Sequence, residues 1–337
     1  MITKKKLLAG FLFGYFNPIF RRVFCSINKE WLSLLAYHRV YPMKYPDFPF
    51  YEDMISATPD EFNKQMAFVS KNFNVINFKI LDQIISSGNK LPSNSLIVTF
   101  DDGYADNFEM ALPVMNKYGI TATIFVTINN VESQKTYWFE KIVYQMKKMT
   151  PRELSLNSRK FKVDKYNRME MAKSIIAFLM EVPEPDRIVC IKELDMQTGI
   201  DVSSSDLEYA KPLTWEMIKN LDKAGIEIGS HTLTHPILSK MSDEDIINEL
   251  SESKRILEDK IGKEVISISY PVGNKNCYDH RVLKFSECCG YRFGVSYKHS
   301  VERLNPSNTF EIPRVHVETD VSFPLFQANL LLPKIFL

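Results

Sequence analysis

From Trp31 onward, short runs of β-branched and aromatic residues alternate with longer stretches of helical period. That is the pattern of a largely parallel sheet with crossover helices. Candidate strands lie near Leu32–His38, Phe73–Phe78, Ser95–Phe100, Thr121–Thr127, Ile226–Ser230, Glu264–Tyr270, Arg292–Tyr297 and Phe310–Val315. Between them Thr58-Pro59-Asp60-Glu61 has the form of a capping box with proline at the first helical position, and Ser242 opens a long helix that stops at Gly262. Gly88, Gly119, Gly225 and Gly290 end further helical segments. The expected fold is α/β, a deformed (β/α) barrel of about seven or eight strands.

The alternation fails between Asn129 and Pro212, where charged helical sequence carries Trp138, Phe139 and Tyr144 near its start and a Pro183-Glu184-Pro185 break further on. A helical insertion of about 130–212 in a barrel spanning 31–320 is therefore predicted. It reads either as a lid or substrate-facing subdomain, or as a solvated excursion on the barrel rim. Two flanking segments are apolar, 1–30 and 321–337. The first sets Lys4, Lys5 and Lys6 before an apolar stretch, but Gly10, Gly14, Asn17 and Pro18 interrupt it, Arg21 and Arg22 follow, and no small-x-small cleavage site appears. It is shorter than the ~20 residues that span a bilayer, so a retained segment is expected rather than a signal peptide.

Composition narrows the function classes. Lys plus Arg number 42 against 41 acids, without the basic excess that a nucleic-acid partner calls for. The five cysteines form no CxxC pair and are odd in number, which argues against a disulfide framework and for a reducing, cytoplasmic setting. Peripheral membrane contact through the two basic and apolar termini is a further expectation, set against simple packing of those helices on the barrel.

Asp101 and Asp102 follow one candidate strand, His231 follows another, the Pro271-Val272-Gly273 turn follows a third and His316 ends the last. In a (β/α) barrel the carboxyl ends of the strands share one face, where active sites are built. An isolated Asp-Asp-Gly more often caps a helix, and a lone histidine is more often structural. Together, however, one aspartate and two histidines four apart, His231 and His235, make a two-histidine, one-carboxylate face with open positions for water and substrate. His38 also ends a strand on that face and reads as structural.

Thr-Phe-Asp101-Asp102-Gly and Ser-His231-Thr-Leu-Thr-His235-Pro, in this order and on these strand ends, resemble the first two motifs of the polysaccharide deacetylase family, the NodB-homology domain or carbohydrate esterase family 4. The resemblance runs from about Leu34 to Val317. It implies Asp101 as catalytic base and Asp102, His231 and His235 as ligands of a divalent metal, usually zinc. It also implies hydrolysis of an N-acyl amide on a carbohydrate, with a backbone N–H near Tyr270 helping to hold the developing oxyanion. His316, in a loose version of the final motif, is the candidate acid for the departing amine. The third motif departs from the pattern, because Ser269 stands where an arginine is usual. Arg314, two residues before His316 on the last strand, is expected to supply that positive charge beside Asp101. Two other readings stay open: a deformylase or other C–N hydrolase acting on a lipid-linked amino sugar, and a glycan-binding module with a vestigial site. Neither the sugar, its state of assembly nor the oligomeric state is legible in the sequence.

Overall fold

The computed structural model describes residues 2–15, 31–42, 48–305 and 308–337. Seven parallel strands close a barrel: β1 (Leu32–Tyr37), β2 (Ser95–Phe100), β3 (Thr123–Val126), β4 (Glu227–Ser230), β5 (Ser267–Ser269), β6 (Phe293–His299) and β7 (Ile312–His316). Their order around the barrel follows the chain, and β1 closes it by pairing with both β2 and β7. The expected strand at Phe73–Phe78 shrinks to Asn74–Val75, which pairs with the start of β2 where the later-starting β3 leaves its edge open. It ends there because the Asn77 side chain accepts the Ile80 N–H and caps a helix that begins at Phe78.

Alternation along each strand sorts the core into two layers. Leu34, Ile97, Phe125, Phe293, Val295 and Ile312 fill the barrel with Phe78, while Leu35, Val98, Ile124 and Ile268 pack against the outer helices. Gly229 is required here: a Cβ at that position would meet the Phe125 ring at 2.5 Å. The inward series continues at the carboxyl ends into His38, Asp101, His231, Ser269, Tyr297 and Arg314, so strand parity itself aims chemistry at one mouth of the barrel.

Thr58 and Glu61 form the reciprocal capping box at the start of helix Pro59–Asn72, and Ser242 caps a helix that ends at left-handed Gly262. The insertion corrects its expected all-helical character. Helices Trp138–Lys148, Arg168–Glu181 and Glu184–Thr198 are joined by an antiparallel hairpin, Arg152–Leu156 with Arg159–Val163, and together they bury a separate apolar cluster. Pro183 separates the last two helices, as its sequence predicts.

The termini pack on each other. Helix Phe323–Leu331 sets Phe323 and Phe326 against Phe68, at ring distances of 6.1 and 6.2 Å. Helix Ile2–Ala9 leads into a π-helical turn, Gly10–Tyr15, and Ala9 and Phe13 are buried in the main core. Lys5 Nζ donates to the Phe336 carbonyl at 2.7 Å, and Lys6 pairs with Asp320 at 2.9 Å. This packing gives the apolar termini a partner within the chain. Asn17, Pro18, Arg21, Arg22 and Cys25 lie outside the described residues. No helix among the described residues is long and apolar enough to cross a membrane. Among the same residues Cys190, Cys277, Cys288 and Cys289 are free thiols.

Candidate active site

Asp101 and Asp102 part company as β2 ends. Asp101 keeps the inward direction of Ile97 and Thr99. Asp102 enters the left-handed region (φ 71°), which aspartate tolerates better than most residues, and Gly103 (φ 80°) completes the reversal. Tyr137 O–H donates to the Asp102 carbonyl, and Leu213 N–H donates to the Gly103 carbonyl at 2.8 Å. The insertion therefore fixes the turn from both of its ends.

Arg314 on β7, fully buried, grips Asp101 with two parallel bonds, Nη1 to Oδ1 at 2.8 Å and Nη2 to Oδ2 at 2.7 Å. Its Nε donates to the Ser296 carbonyl, Nη1 also to Thr99 Oγ, and Nη2 also to Ser269 Oγ. Ser269, where an arginine was looked for, thus accepts a bond from the arginine of another strand. Burial pushes the Asp101 carboxyl up, but Arg314 more than offsets this and holds it below the usual carboxylate range.

The loop after β4 brings His231 and His235 to Asp102. Each Nε2 lies 3.3 Å from Asp102 Oδ1. Thr232 (φ 68°) and His235 (φ 58°) take left-handed backbone, which for β-branched Thr232 is strained. Glu249, on helix Asp243–Ile261, over-determines that shape: its carboxylate accepts the N–H groups of Leu233 and Thr234 at 2.8 and 2.9 Å and the Thr234 hydroxyl at 2.6 Å. Nothing in the sequence marks Glu249; it looks like one more acid on a solvated helix face.

The three side chains fit a divalent cation. Their ligand atoms all lie within 4.8 Å of one another, and all three residues are buried. Asp102 Oδ2 is buried with no hydrogen-bond partner, an expensive state for a carboxylate without a cation. His231 Nδ1 lies 2.7 Å from the Ser269 carbonyl and donates to it, which turns Nε2 toward Asp102. Despite burial, hydrogen bonds from both histidines hold the Asp102 carboxyl far below its ordinary value. Burial draws the His235 imidazole below its ordinary value; burial acts on His231 too, but Asp102, Asp101 and the Ser269 carbonyl together outweigh it and raise that imidazole.

Asp101, Asp102, His231 and His235 open into one cavity of about 240 Å³, together with His38 and Tyr297. His316 does not join them. Its ring stacks on Tyr297 at 3.6 Å, its Nε2 lies 3.0 Å from the Tyr297 carbonyl, and it lines a different cavity of about 290 Å³ among the packed termini. Burial, reinforced by His299 and Arg314, pushes it down to about 3, so it is neutral across the working pH range. His38, read from the sequence as structural, stands in the catalytic cavity instead, its ring 5.6 Å from that of Tyr297. Burial lowers its pKa, while Asp102 and Asp101 pull the other way. Of the backbone N–H groups near Tyr270, where one is expected to face an oxyanion, that of Tyr270 itself donates to the Val295 carbonyl at 3.2 Å. Val272 beyond it is left-handed (φ 61°) and lines the cavity; Gly273 next to it has no room for a side chain, since a Cβ would lie 2.7 Å from Tyr297 N.

Trp138, Phe139, Ile176 and Met180, all from the 130–212 segment, form part of the wall of this cavity. Buried Glu140 secures this wall: it accepts the Tyr51 N–H at 2.6 Å and the Tyr104 hydroxyl at 3.0 Å, with Arg39 Nη1 at 3.8 Å. Burial pushes Glu140 up to about 7 against the pull of Arg39, which is itself bonded to Asp106 at 2.9 Å.

Residues 88–294, more than half of the chain, match the polysaccharide deacetylase family model. The chain belongs to the polysaccharide deacetylase family. It is accordingly a hydrolase of carbon–nitrogen bonds other than peptide bonds. The Bacillus subtilis protein YxkH, named as a polysaccharide deacetylase, is 23% identical over 269 residues, 80% of this chain and 68% of its own length. Among solved structures, the Streptococcus pyogenes deacetylase PplD in complex with acetate superposes with a TM-score of 0.61 at 17% identity, covering 90% of this chain and 99% of that one. The polysaccharide deacetylase BA0330 of Bacillus anthracis gives 0.57 at 19% identity, covering 90% and 69%. At these identities the structural likeness speaks for the deformed barrel of this deacetylase.

Proposed function

We propose that this deacetylase removes an N-acyl group, acetyl or a relative of it, from an amino sugar during synthesis or modification of a glycoconjugate. The observation that carries the reading is the ionised Asp101, held by Arg314 in the same cavity as the Asp102, His231 and His235 cluster. A vestigial binding module would have no use for a buried base kept charged at the cost of burying an arginine.

Asp102, His231 and His235 would hold a divalent cation, zinc in the first instance, whose Lewis acidity would favour attack at the acyl carbonyl. Asp101 takes a proton from the attacking water. Arg314 keeps both carboxylate oxygens oriented and keeps the group ionised well below neutral pH. His38, which opens into the same cavity, delivers a proton to the departing amine nitrogen; burial disfavours its charged form, so it takes that proton up within the catalytic cycle, beside Asp102 and Asp101, which favour it. Tyr297 lines the cavity beside His38 and screens His316 from it.

The test is acid release from N-formyl and N-acetyl amino sugars, free, lipid-linked and polymeric, alongside elemental analysis. About one divalent cation per chain is expected for a three-ligand site, with both cation and turnover lost in the His231→Ala, His235→Ala variant. Undiminished cation content in that variant would remove the basis of the reading, and formate in place of acetate would turn it to deformylation. For the acid, His38→Gln should slow N-acetyl hydrolysis at least about tenfold more than hydrolysis of p-nitrophenyl acetate, whose leaving group needs no proton. His316→Gln should slow both substrates alike and slightly; the reverse pattern would restore His316 to the role.

A further inference from the structure

We infer that this enzyme acts on the end sugar of a glycan chain, and that inner sugars are shut out by a rim that closes around the cavity. The inference rests on the hydrolase reading above and names the state of assembly of its substrate. Tyr51, Asp53 and Met54 line the cavity from the segment that follows β1, and Ser56 Oγ in that segment accepts the His38 N–H at 2.9 Å. Asp53 pairs with Lys173 of the insertion at 2.6 Å, and the same Nζ lies 5.8 Å from the centre of the Tyr51 ring. Helix Arg168–Glu181 carries the rim onward through Ile176 and Met180, which line the cavity, to Glu181, which pairs at 3.4 Å with Lys240 beyond β4. Beside Lys240, Ser239 donates its N–H to the Cys277 carbonyl at 3.0 Å and its hydroxyl to the Asn276 carbonyl at 2.5 Å, in the loop after β5 that presents Asn274 to the cavity. Gly273 of that loop accepts the Tyr297 N–H at 2.8 Å, and the Tyr297 ring stands 5.6 Å from that of His38, where the circuit began.

The chemistry lies at the floor inside this ring. Asp101, Asp102, His231 and His235 are no more than 3% exposed, so the amide has to descend past the rim to meet them. The cavity of about 240 Å³ is smaller than the roughly 300–1,000 Å³ of sites that enclose a drug-sized ligand, and a disaccharide is a ligand of that size. It holds one sugar with its acyl group. An inner sugar carries a neighbour on each side, and both would have to leave through the one mouth while the amide reached the floor. An end sugar carries a single neighbour, which stays outside, where Asp53, Lys173 and Asn274 offer polar partners to its hydroxyls.

The experiment gives the metal-replete enzyme β-1,4-linked and β-1,6-linked oligomers of N-acetylglucosamine, from trimer to hexamer, with the reducing end labelled. Fragment mass spectrometry reads which unit has lost acetate. The expected first product lacks acetate on one end unit and keeps it on every inner unit, and kcat/KM per chain is flat across the series. Loss of acetate from inner units in the first product, or kcat/KM that climbs with length, overturns the inference and leaves the hydrolase reading intact. No acid from any oligomer or from free N-acetylglucosamine overturns both. Lys173→Ala with Lys240→Ala shortens the two side chains that bridge the gaps at either end of the insertion helix, and both pairs are exposed ones on which the fold does not depend. That variant should lower the ratio of end to inner deacetylation several-fold. An unchanged ratio would mean that the rim does not select, and the assignment to it falls.

Discussion

Asp101→Asn is expected to lower kcat by about 10²–10⁴-fold while cation content and fold persist, because it removes general-base assistance and little else. The replacement is isosteric. Its carbonyl oxygen still accepts one Arg314 bond, while its amide NH₂ faces the other guanidinium nitrogen, so a modest loss of stability accompanies the kinetic one. The Asp102, His231 and His235 cluster does not depend on the Asp101 carboxylate for its geometry: His231 is aimed by the Ser269 carbonyl and the loop by Glu249. Single-turnover rates and elemental analysis on one preparation check both halves. A near-normal rate with full cation would place the base elsewhere, and lost cation would mean that Asp101 is part of the ligand set.

The barrel was legible because its signal is local. Most strands carry their own run of β-branched or aromatic residues, most crossover helices their own cap, and strand ends in such a barrel share one face whatever their order. Asp101, Asp102, His231 and His235 were found that way, and Arg314 from parity along β7. Parity places both His38 and His316 on that face, yet His38 lines the cavity of Asp101 and His316 a different one. What separates them is the stacking of Tyr297 on His316, a contact between side chains of different strands. Glu249 and Glu140 act through loops 15 and 89 residues away, a link that spacing cannot reveal. The hairpin of the insertion is a different miss, since its signal was present. Arg152–Leu156 and Arg159–Val163 bury alternate residues, and the turn residues Asn157 (φ 45°) and Ser158 (φ 65°) adopt the double left-handed form that two-residue hairpins favour. The surrounding density of charge concealed a period of two.

Arg314→Met has the largest expected effect on stability, and its sign depends on pH. In the native protein the lowered pKa of Asp101 adds stability that is present above the unfolded value of ~3.9 and is lost only as pH falls through the lower folded value. Without the guanidinium the burial cost stands alone, and the folded pKa rises above the unfolded one. The unfolded chain then ionises Asp101 more readily than the folded one, so the variant loses stability as pH climbs from ~4 through its raised folded value. The deficit against the parent protein should approach about 3–5 kcal/mol near neutral pH, the usual cost of stranding one partner of a buried ion pair, and should shrink toward pH 4. Urea unfolding at several pH values reads this directly, and the acidic limb of kcat/KM should move upward with the same pKa. Adding Asp101→Asn to Arg314→Met removes the stranded charge and should restore much of the stability at neutral pH without restoring activity. A deficit that is constant with pH, or that the second substitution leaves unrelieved, would mean that Arg314 acts through its contacts with Ser296, Thr99 and Ser269 and not through the charge of Asp101.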